Sequence, residues 1–246
     1  MINFSAISPN TWLGRSLRAP LRLVPREMAV PILQGPMRGK RWVAGSSDMG
    51  CWLGTAELSK VRRVARVVQP GMTCFDIGAN VGYYTLLTSV LVGASGKVFA
   101  FEPVPGNIAL LWRNVRINRC GNVQVFELAV SDSDGVARFA EQPSRSRGHL
   151  DADGSLEVRC ASLDSLSAEG AISAPHVLKI DVEGAELEVL QGARRILETA
   201  KPVIFLATHG PEVHASCCRF LRETGYGLEH LDGDSVESSS ELLAVA

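Results

Sequence analysis

Residues 72–92 constrain this chain more than any other segment. Met72-Thr73-Cys74-Phe75-Asp76-Ile77 is a short apolar run with strand character, Gly78-Ala79-Asn80-Val81-Gly82 is a turn, and Tyr83–Val92 stays apolar over the length of a helix. Strand, glycine turn and helix in that order form the ligand-binding start of an open α/β sheet, in which the turn lies at the carboxyl end of a parallel strand. Glycine at 78 and 82 lets backbone approach a ligand where a Cβ would collide, and Asn80 is the type of residue that best tolerates a left-handed turn after glycine. The stretch Ile77–Gly96 has the length of a bilayer span and carries no charge. Four glycines with Asn80, Thr85, Thr88, Ser89 and Ser95 break it into turn, buried helix and turn.

The next strand, Lys97–Phe101, ends in Glu102, where a carboxylate can accept hydrogen bonds from a ribose diol. The turn is neither G-x-G-x-x-G nor G-x-x-x-x-G-K-S/T, which argues against a dinucleotide or a nucleoside triphosphate. Asp76, two residues before the first glycine, suits a cationic or zwitterionic ligand better than a diphosphate. S-adenosylmethionine, with its sulfonium, amino group and ribose diol, matches both acids.

Further strands are predicted at Val123–Val130, Val177–Asp181 and Pro202–Ala207, with a helix over Asn107–Asn118 and another carrying Leu187, Leu190, Ala193, Ile196 and Leu197 on one side. Val136–Phe139 and Leu156–Cys160 read as a hairpin or loop structure, and Arg145–Asp153 between them as a mobile polar stretch. Lys179, Asp181 and Glu183 alternate, so an extended backbone through Glu183 would project all three to one side. One reading makes Lys179 and Asp181 a structural ion pair and makes Glu183 and Glu186 acids at a helix N-terminus. The other has Asp181 or Glu183 take a proton from an acceptor hydroxyl, or hold a cation. His209, in Thr208-His209-Gly210, reaches the same sheet edge and is the best-placed imidazole. His149, His176, His214 and His230 have no such company. Tyr83 or Tyr84 either lines the pocket or belongs to a buried helix face.

Charge divides the chain. Residues 1–66 hold nine Arg and two Lys against Glu27, Asp48 and Glu57, whereas the rest is acidic and the whole carries a net charge of −1. This balance offers no global field for nucleic acid, and no polybasic reading survives it. The basic part is either a flap docked on an acidic domain or, through Trp12–Val24 with its interleaved Arg and Leu, a segment that lies on an anionic membrane surface despite Pro20. Ile32–Val43 reads as two short strands and Leu58–Val68 as a helix stopped by Pro70-Gly71. Six cysteines show no C-x-x-C pair and no even spacing, so neither a zinc ribbon nor a disulfide framework is expected; no secretory signal is evident, and reduced thiols in the cytoplasm fit best.

Asp76-Ile-Gly-Ala-Asn-Val-Gly82, Phe101-Glu102-Pro103, Asn114, Asn118, Ala129-Val130-Ser131-Asp132, Leu163-Asp164 and Lys179-Ile-Asp181-Val-Glu183-Gly184-Ala-Glu186 together resemble the FkbM family of methyltransferases, in register over about residues 50–210. The resemblance implies a class I methyltransferase fold: a Rossmann-like, doubly wound α/β sheet of seven mostly parallel strands. Here it would occupy residues 57–246 behind an N-terminal extension, 1–56. It implies S-adenosyl-L-methionine as cofactor and O-methylation of a sugar or natural-product hydroxyl. By position, Asp76, Gly78, Asn80 and Gly82 would hold the methionine part, Glu102 the ribose, and Val130 and Ser131 would lie by the adenine. Asp181, Glu183 and His209 would be catalytic, and no metal site is assigned. Family members often carry Glu where this chain has Ala207, which puts a metal or base role shared with that carboxylate in doubt. Glu57 sits where the family usually has an acid ahead of the first helix. The basic N-terminus further resembles the NoeI-type sugar 2-O-methyltransferases of rhizobia, linked to fucose on lipo-chitooligosaccharide nodulation signals. A glycan or small-molecule acceptor, no nucleic-acid partner, and a cytoplasmic enzyme touching the inner membrane face through its arm follow as expectations, with the oligomeric state open. A nucleic-acid N-methyltransferase, a nicotinamide oxidoreductase and a non-catalytic cofactor-binding protein are the competing readings. Asp181-Val-Glu-Gly lacks the Pro-Pro-aromatic signature of the first.

Overall fold

The computed structural model describes residues 7, 8, 10–141, 148–150 and 156–246. Its frame is a seven-stranded sheet built from β3 (Thr73–Ile77), β4 (Lys97–Phe101), β5 (Val123–Phe126), β10 (Val177–Ile180), β11 (Val203–Ala207), β12 (Gly227–His230) and β13 (Glu241–Val245). The order across it is β12-β13-β11-β10-β3-β4-β5. Pairing is parallel from β5 to β11, and β13 runs antiparallel to both β11 and β12.

Strand alternation sorts the core into two faces. Phe75, Ile77, Phe99, Phe101, Leu178, Ile180, Ile204 and Leu206 pack on one side beneath α6 (Leu163–Ala168), α7 (Glu186–Gln191), α8 (Arg194–Ala200) and α9 (Pro211–Glu223). Cys74, Val98, Val177, Phe205 and Leu243 face the other side, against α3 (Leu58–Val67) and α4 (Tyr83–Val92). Covering both faces suits a largely parallel sheet, whose strands are apolar on both sides. The chain runs outward from β3 through β4 to β5, then returns to β10 on the opposite flank of β3. The reversal point therefore lies between β3 and β10, and the crevice at their carboxyl ends is where such sheets take a ligand.

The N-terminal part joins this core. The short ribbon of β1 (Ala29–Pro31) and β2 (Arg41–Val43), with α2 (Met49–Leu53), contributes Ile32, Trp42, Trp52 and Leu53 to the cluster under α4. Asparagines fasten it to α5 (Pro105–Ile117). Val43 N–H donates to Asn114 Oδ1 at 3.0 Å, Arg41 N–H donates to Asn118 Oδ1 at 2.8 Å, and Asn114 Nδ2 donates to Val81 O in the glycine turn at 2.9 Å.

Four expectations need correction. Of the two short strands read over Ile32–Val43, the second is β2 but the first, β1, lies ahead of that span at Ala29–Pro31. The strand read over Val123–Val130 ends at Phe126; β6 (Ala129–Val130) leaves the main sheet to pair in parallel with β9 (Leu156–Ala161). Extended backbone does not persist through Glu183, because β10 stops at Ile180 and Glu183 turns left-handed at φ 56°. The helix read through Leu187–Leu197 is two, broken at Gly192-Ala193. A Cβ on Gly192 would sit 2.0 Å from Ser131 O, and the Asp164 carboxylate accepts from Arg195 N–H and Ile196 N–H to start α8 afresh.

The hairpin reading is met by β7 (Gly135–Glu141) against β9, with β8 (Gly148–Leu150) on its outer side. The rest of Arg145–Asp153 lies outside the described residues. Among the described residues no helix is long and apolar enough to cross a membrane.

Candidate functional site

The turn after β3 has the backbone its sequence requires: Gly78, Asn80 and Gly82 take φ of 72°, 50° and 91°. At Gly78 a Cβ would lie 1.9 Å from Asp181 O, so the turn after β3 rests directly on the turn after β10. Asn80 side-chain Oδ1 accepts from Val81 N–H at 2.8 Å and stabilises the left-handed step.

Glu102, just past β4, is 4% exposed. It accepts from Asn80 N–H (2.8 Å), Val104 N–H (3.1 Å) and Asn107 Nδ2 (3.0 Å). Burial pushes its carboxyl above the usual range, and these hydrogen bonds oppose that shift. With about four lone-pair positions on a carboxylate, one remains open on Oε2 for a hydroxyl.

Asp76 lies beneath the turn, 1% exposed, accepting from Thr85 Oγ1 at 2.6 Å and standing 3.2 Å from Lys179 Nζ. Lys179 in turn donates to Gly78 O at 2.8 Å and lies 3.8 Å from Asp181. The Lys179 ammonium keeps a raised pKa: burial works against the charge, and Asp76 and Asp181 outweigh it. Asp76 and Lys179 thus form a buried brace under the glycine turn. Val130 is buried and Ser131 half-buried on the β6 side, where Ser131 N–H donates to Ala161 O.

On the opposite flank the turns after β10 and β11 bring Asp181, Glu183 and His209 together despite the left-handed step between the two acids. His209 Nε2 lies 3.4 Å from Glu183 Oε2 and 3.9 Å from Asp181 Oδ1, and one ligand atom from each of the three residues falls within 4.8 Å of the others. His209 Nδ1 is 2.8 Å from Oε1 of Glu186, which is fully buried and also accepts from Gly184 N–H. The hydrogen bond to Glu186 raises the imidazole pKa, with Glu183 and Asp181 adding to it. Asp181 titrates below the usual range; burial opposes this, and Lys179, Lys60 and His209 prevail.

Some neighbours carry little signal in sequence. Glu241 of β13 stands opposite Ala207 in the register and brings a carboxylate to the edge where Ala207 supplies none. It pairs with the buried Lys60 at 2.7 Å. The only trace was an apolar run, Leu242–Val245, after an acid. Tyr84 is buried, its hydroxyl donating to Glu57 Oε2 at 2.6 Å, with the ammonium groups of Lys60 and Lys179 5.3 and 5.6 Å from its ring centre. Tyr83 instead meets Trp42 edge-on. His214 has partners after all, Thr208 Oγ1 at 3.0 Å and Cys218 Sγ at 3.4 Å, while His176 Nδ1 accepts from Thr73 N–H.

The architecture has known counterparts. A crystal structure of methyltransferase FkbM from Methylobacillus flagellatus superposes with a TM-score of 0.53 at 16% identity, covering 100% of this chain and 62% of that one. The seven-stranded, mostly parallel sheet is the class I methyltransferase fold. Among curated relatives, hexuronic acid methyltransferase AglP of Haloferax volcanii is 30% identical over 161 residues, 65% of this chain and 63% of the relative. 31-O-demethyl-FK506 methyltransferase FkbM of Streptomyces tacrolimicus is 31% identical, over 51% of this chain and 60% of the relative. 2-O-methyltransferase NoeI of Sinorhizobium fredii is 25% identical, over 58% and 66%. The chain spans about three fifths of the length of the first two. The model of the methyltransferase FkbM domain matches residues 76–228, from the brace carboxylate under the glycine turn to the edge of the sheet beyond His209. With more than half of its length in that match, this chain belongs to the FkbM methyltransferase family.

Proposed function

We propose that the protein is an S-adenosyl-L-methionine-dependent O-methyltransferase that acts on a hydroxyl of a sugar or glycolipid. One observation carries the reading: the Gly78–Gly82 turn with Glu102, and the Asp181–Glu183–His209 cluster, lie side by side at the carboxyl ends of the strands about the reversal point of the sheet and touch each other through Gly78 and Asp181 O. The residues present fit the cofactor. The turn holds the left-handed backbone at Gly78, Asn80 and Gly82, and Glu102 beside it keeps an open acceptor position. Gly78, Asn80 and Gly82 would hold the methionine part and Glu102 the ribose, with Val130 and Ser131 by the adenine and Asp76 acting through its brace. Bound there, the cofactor supplies a methyl group already activated on a sulfonium centre. The chain's own work is then to aim the acceptor oxygen in line with that methyl group and to receive the hydroxyl proton at the Asp181, Glu183 and His209 cluster. Positioning of this kind provides most of the acceleration.

A glycan acceptor is supported by the hexuronic acid and 2-O-methyltransferase relatives. The finer reading is 2-O-methylation of fucose on a lipo-chitooligosaccharide. The FK506 relative supports a second reading, a hydroxyl of a polyketide or similar natural product. An amphiphilic acceptor suits the basic extension, residues 1–56, as the part that meets an anionic membrane surface: Trp12 and Leu23 are 75% and 83% exposed there beside Arg15 and Arg26. Calorimetric titration with S-adenosylhomocysteine, with NAD as control, tests the cofactor class. Micromolar binding of the first alone is expected, followed by label transfer from the methyl donor to fucosylated or other glycans. Absence of binding by a folded sample favours a non-catalytic protein.

A further inference from the structure

Two features of the His209 cluster point beyond proton transfer. The first is the imidazole's orientation. Nδ1 is held at 2.8 Å by Glu186, which is 0% exposed, and Nε2 is thereby aimed at two carboxylates. A buried carboxylate that fixes one ring nitrogen and presents the other is the outer-shell arrangement of metal-bound histidines. The second is spacing. Nε2 stands 3.4 and 3.9 Å from oxygens of Glu183 and Asp181, longer than the roughly 2.7–3.2 Å of a hydrogen bond. Ligands bound at about 2.0–2.2 Å lie roughly 3.0–3.5 Å apart around a tetrahedral or octahedral centre. The Glu183–His209 edge already meets that span, Asp181 stands 3.9 Å from the imidazole nitrogen, and the three ligand atoms all start within 4.8 Å of one another.

We propose that Asp181, Glu183 and His209 bind a divalent first-row transition cation, with Glu186 as the positioning residue for His209. One imidazole and two carboxylates form a borderline-hard donor set. It suits Mn²⁺, Fe²⁺ or Zn²⁺ better than Mg²⁺ or Ca²⁺, which favour all-oxygen shells. Three protein ligands leave positions for water or for oxygens of the acceptor. A role toward the acceptor rests on the methyltransferase reading: a coordinated hydroxyl would ionise more easily, its proton passing by an unligated carboxylate oxygen of the cluster to solvent, and an adjacent hydroxyl of the same sugar ring would complete a chelate. The brace of Asp76 and Lys179 adjoins the site, with Lys179 3.8 Å from Asp181, and is not among the ligands.

The test uses the full chain, freed of metal with a chelator and titrated with MnCl₂ while the free-ion electron paramagnetic resonance signal is followed. S-adenosylhomocysteine binding is measured on the same samples. One Mn²⁺ per chain is expected, with at least tenfold weaker binding in Glu183→Gln and in His209→Ala. Glu186→Gln, which keeps all three ligands, should weaken Mn²⁺ binding about 10–100-fold. An unchanged circular dichroism spectrum and melting temperature certify that each variant is folded. No Mn²⁺ binding at millimolar concentration, or equal binding by wild type and ligand variants, overturns the proposal and leaves His209 as an imidazole positioned by Glu186 beside Asp181 and Glu183. Mn²⁺ bound as expected without any S-adenosylhomocysteine binding would keep the cation site and remove the methyltransferase reading, so the two fail separately.

Discussion

Gly78 does two jobs with one missing atom. It takes a φ of 72° and leaves space for Asp181 O, which a Cβ would approach to 1.9 Å. Gly78→Ala must therefore push apart the turns after β3 and β10. We expect a loss of about 2–4 kcal/mol in urea unfolding together with loss of S-adenosylhomocysteine binding. Glu102→Ala separates two roles of its own. It removes an open acceptor and leaves the N–H groups of Asn80 and Val104 without their partner, so S-adenosylhomocysteine affinity should fall by about tenfold or more in calorimetry. Unchanged affinity would remove Glu102 from the ribose. At this scale the sequence was informative wherever chemistry dictates residue type. Glycines at left-handed positions, an acid at a strand end, and Asn114 and Asn118 in one helix could all be marked before any coordinates. It was uninformative where distance along the chain is large. Glu241 faces Lys60 across 181 residues, and nothing local to either announces the pair.

Elements were legible when their periodicity was clean and their ends had caps or glycines. The helix Tyr83–Val92 has the bounds read for it, and the strands ending at Ile77 and Phe101 lie where the apolar runs put them. The misreadings share a cause: a tertiary partner took over from local pattern. Val123–Val130 is a mostly apolar run, interrupted only by Gln124 and Glu127, yet Ala129 and Val130 pair with β9, and at the break after α7 the Ser131 backbone leaves no room for a Cβ on residue 192. The link from β12 to β13 offers a pH test. The Asp232 carboxylate accepts from Glu241 N–H at 3.0 Å, from Ser240 at 3.2 Å and from the Ser239 hydroxyl. Its pKa is lowered; burial opposes this, and the hydrogen bonds outweigh it. A carboxylate with a depressed folded value stabilises above its unfolded pKa of about 3.9, and the contribution is lost as pH falls through the folded value. Hydrogen exchange at Glu241 N–H, corrected for intrinsic pH dependence, should accelerate below about pH 4. Asp232→Ala should show roughly tenfold faster exchange already at neutral pH.

For the whole molecule, the uneven charge is the feature with a consequence in reach. A surplus of eight positive charges in residues 1–66 coincides with exposed Trp12, Leu13, Leu23 and Met28. Vesicles containing anionic lipid should sediment the protein at low salt and release it as salt rises, and zwitterionic vesicles should not. Trp12→Ala together with Leu23→Ala should reduce the bound fraction several-fold without altering S-adenosylhomocysteine affinity. Equal sedimentation by wild type and the double variant would return the segment to the simpler role of a docked flap.

The position of β13 has a further consequence, for biosynthesis. Residues 241–245 insert between β11 and β12, both of which leave the ribosome earlier. Until they emerge, Val203-Ile204-Phe205-Leu206-Ala207 presents a bare apolar edge, the type of segment that recruits stray strands from other chains. Translation pauses between residues 207 and 245 would lengthen that exposure. The yield of native protein should therefore depend on codon choice and chaperone supply across this interval.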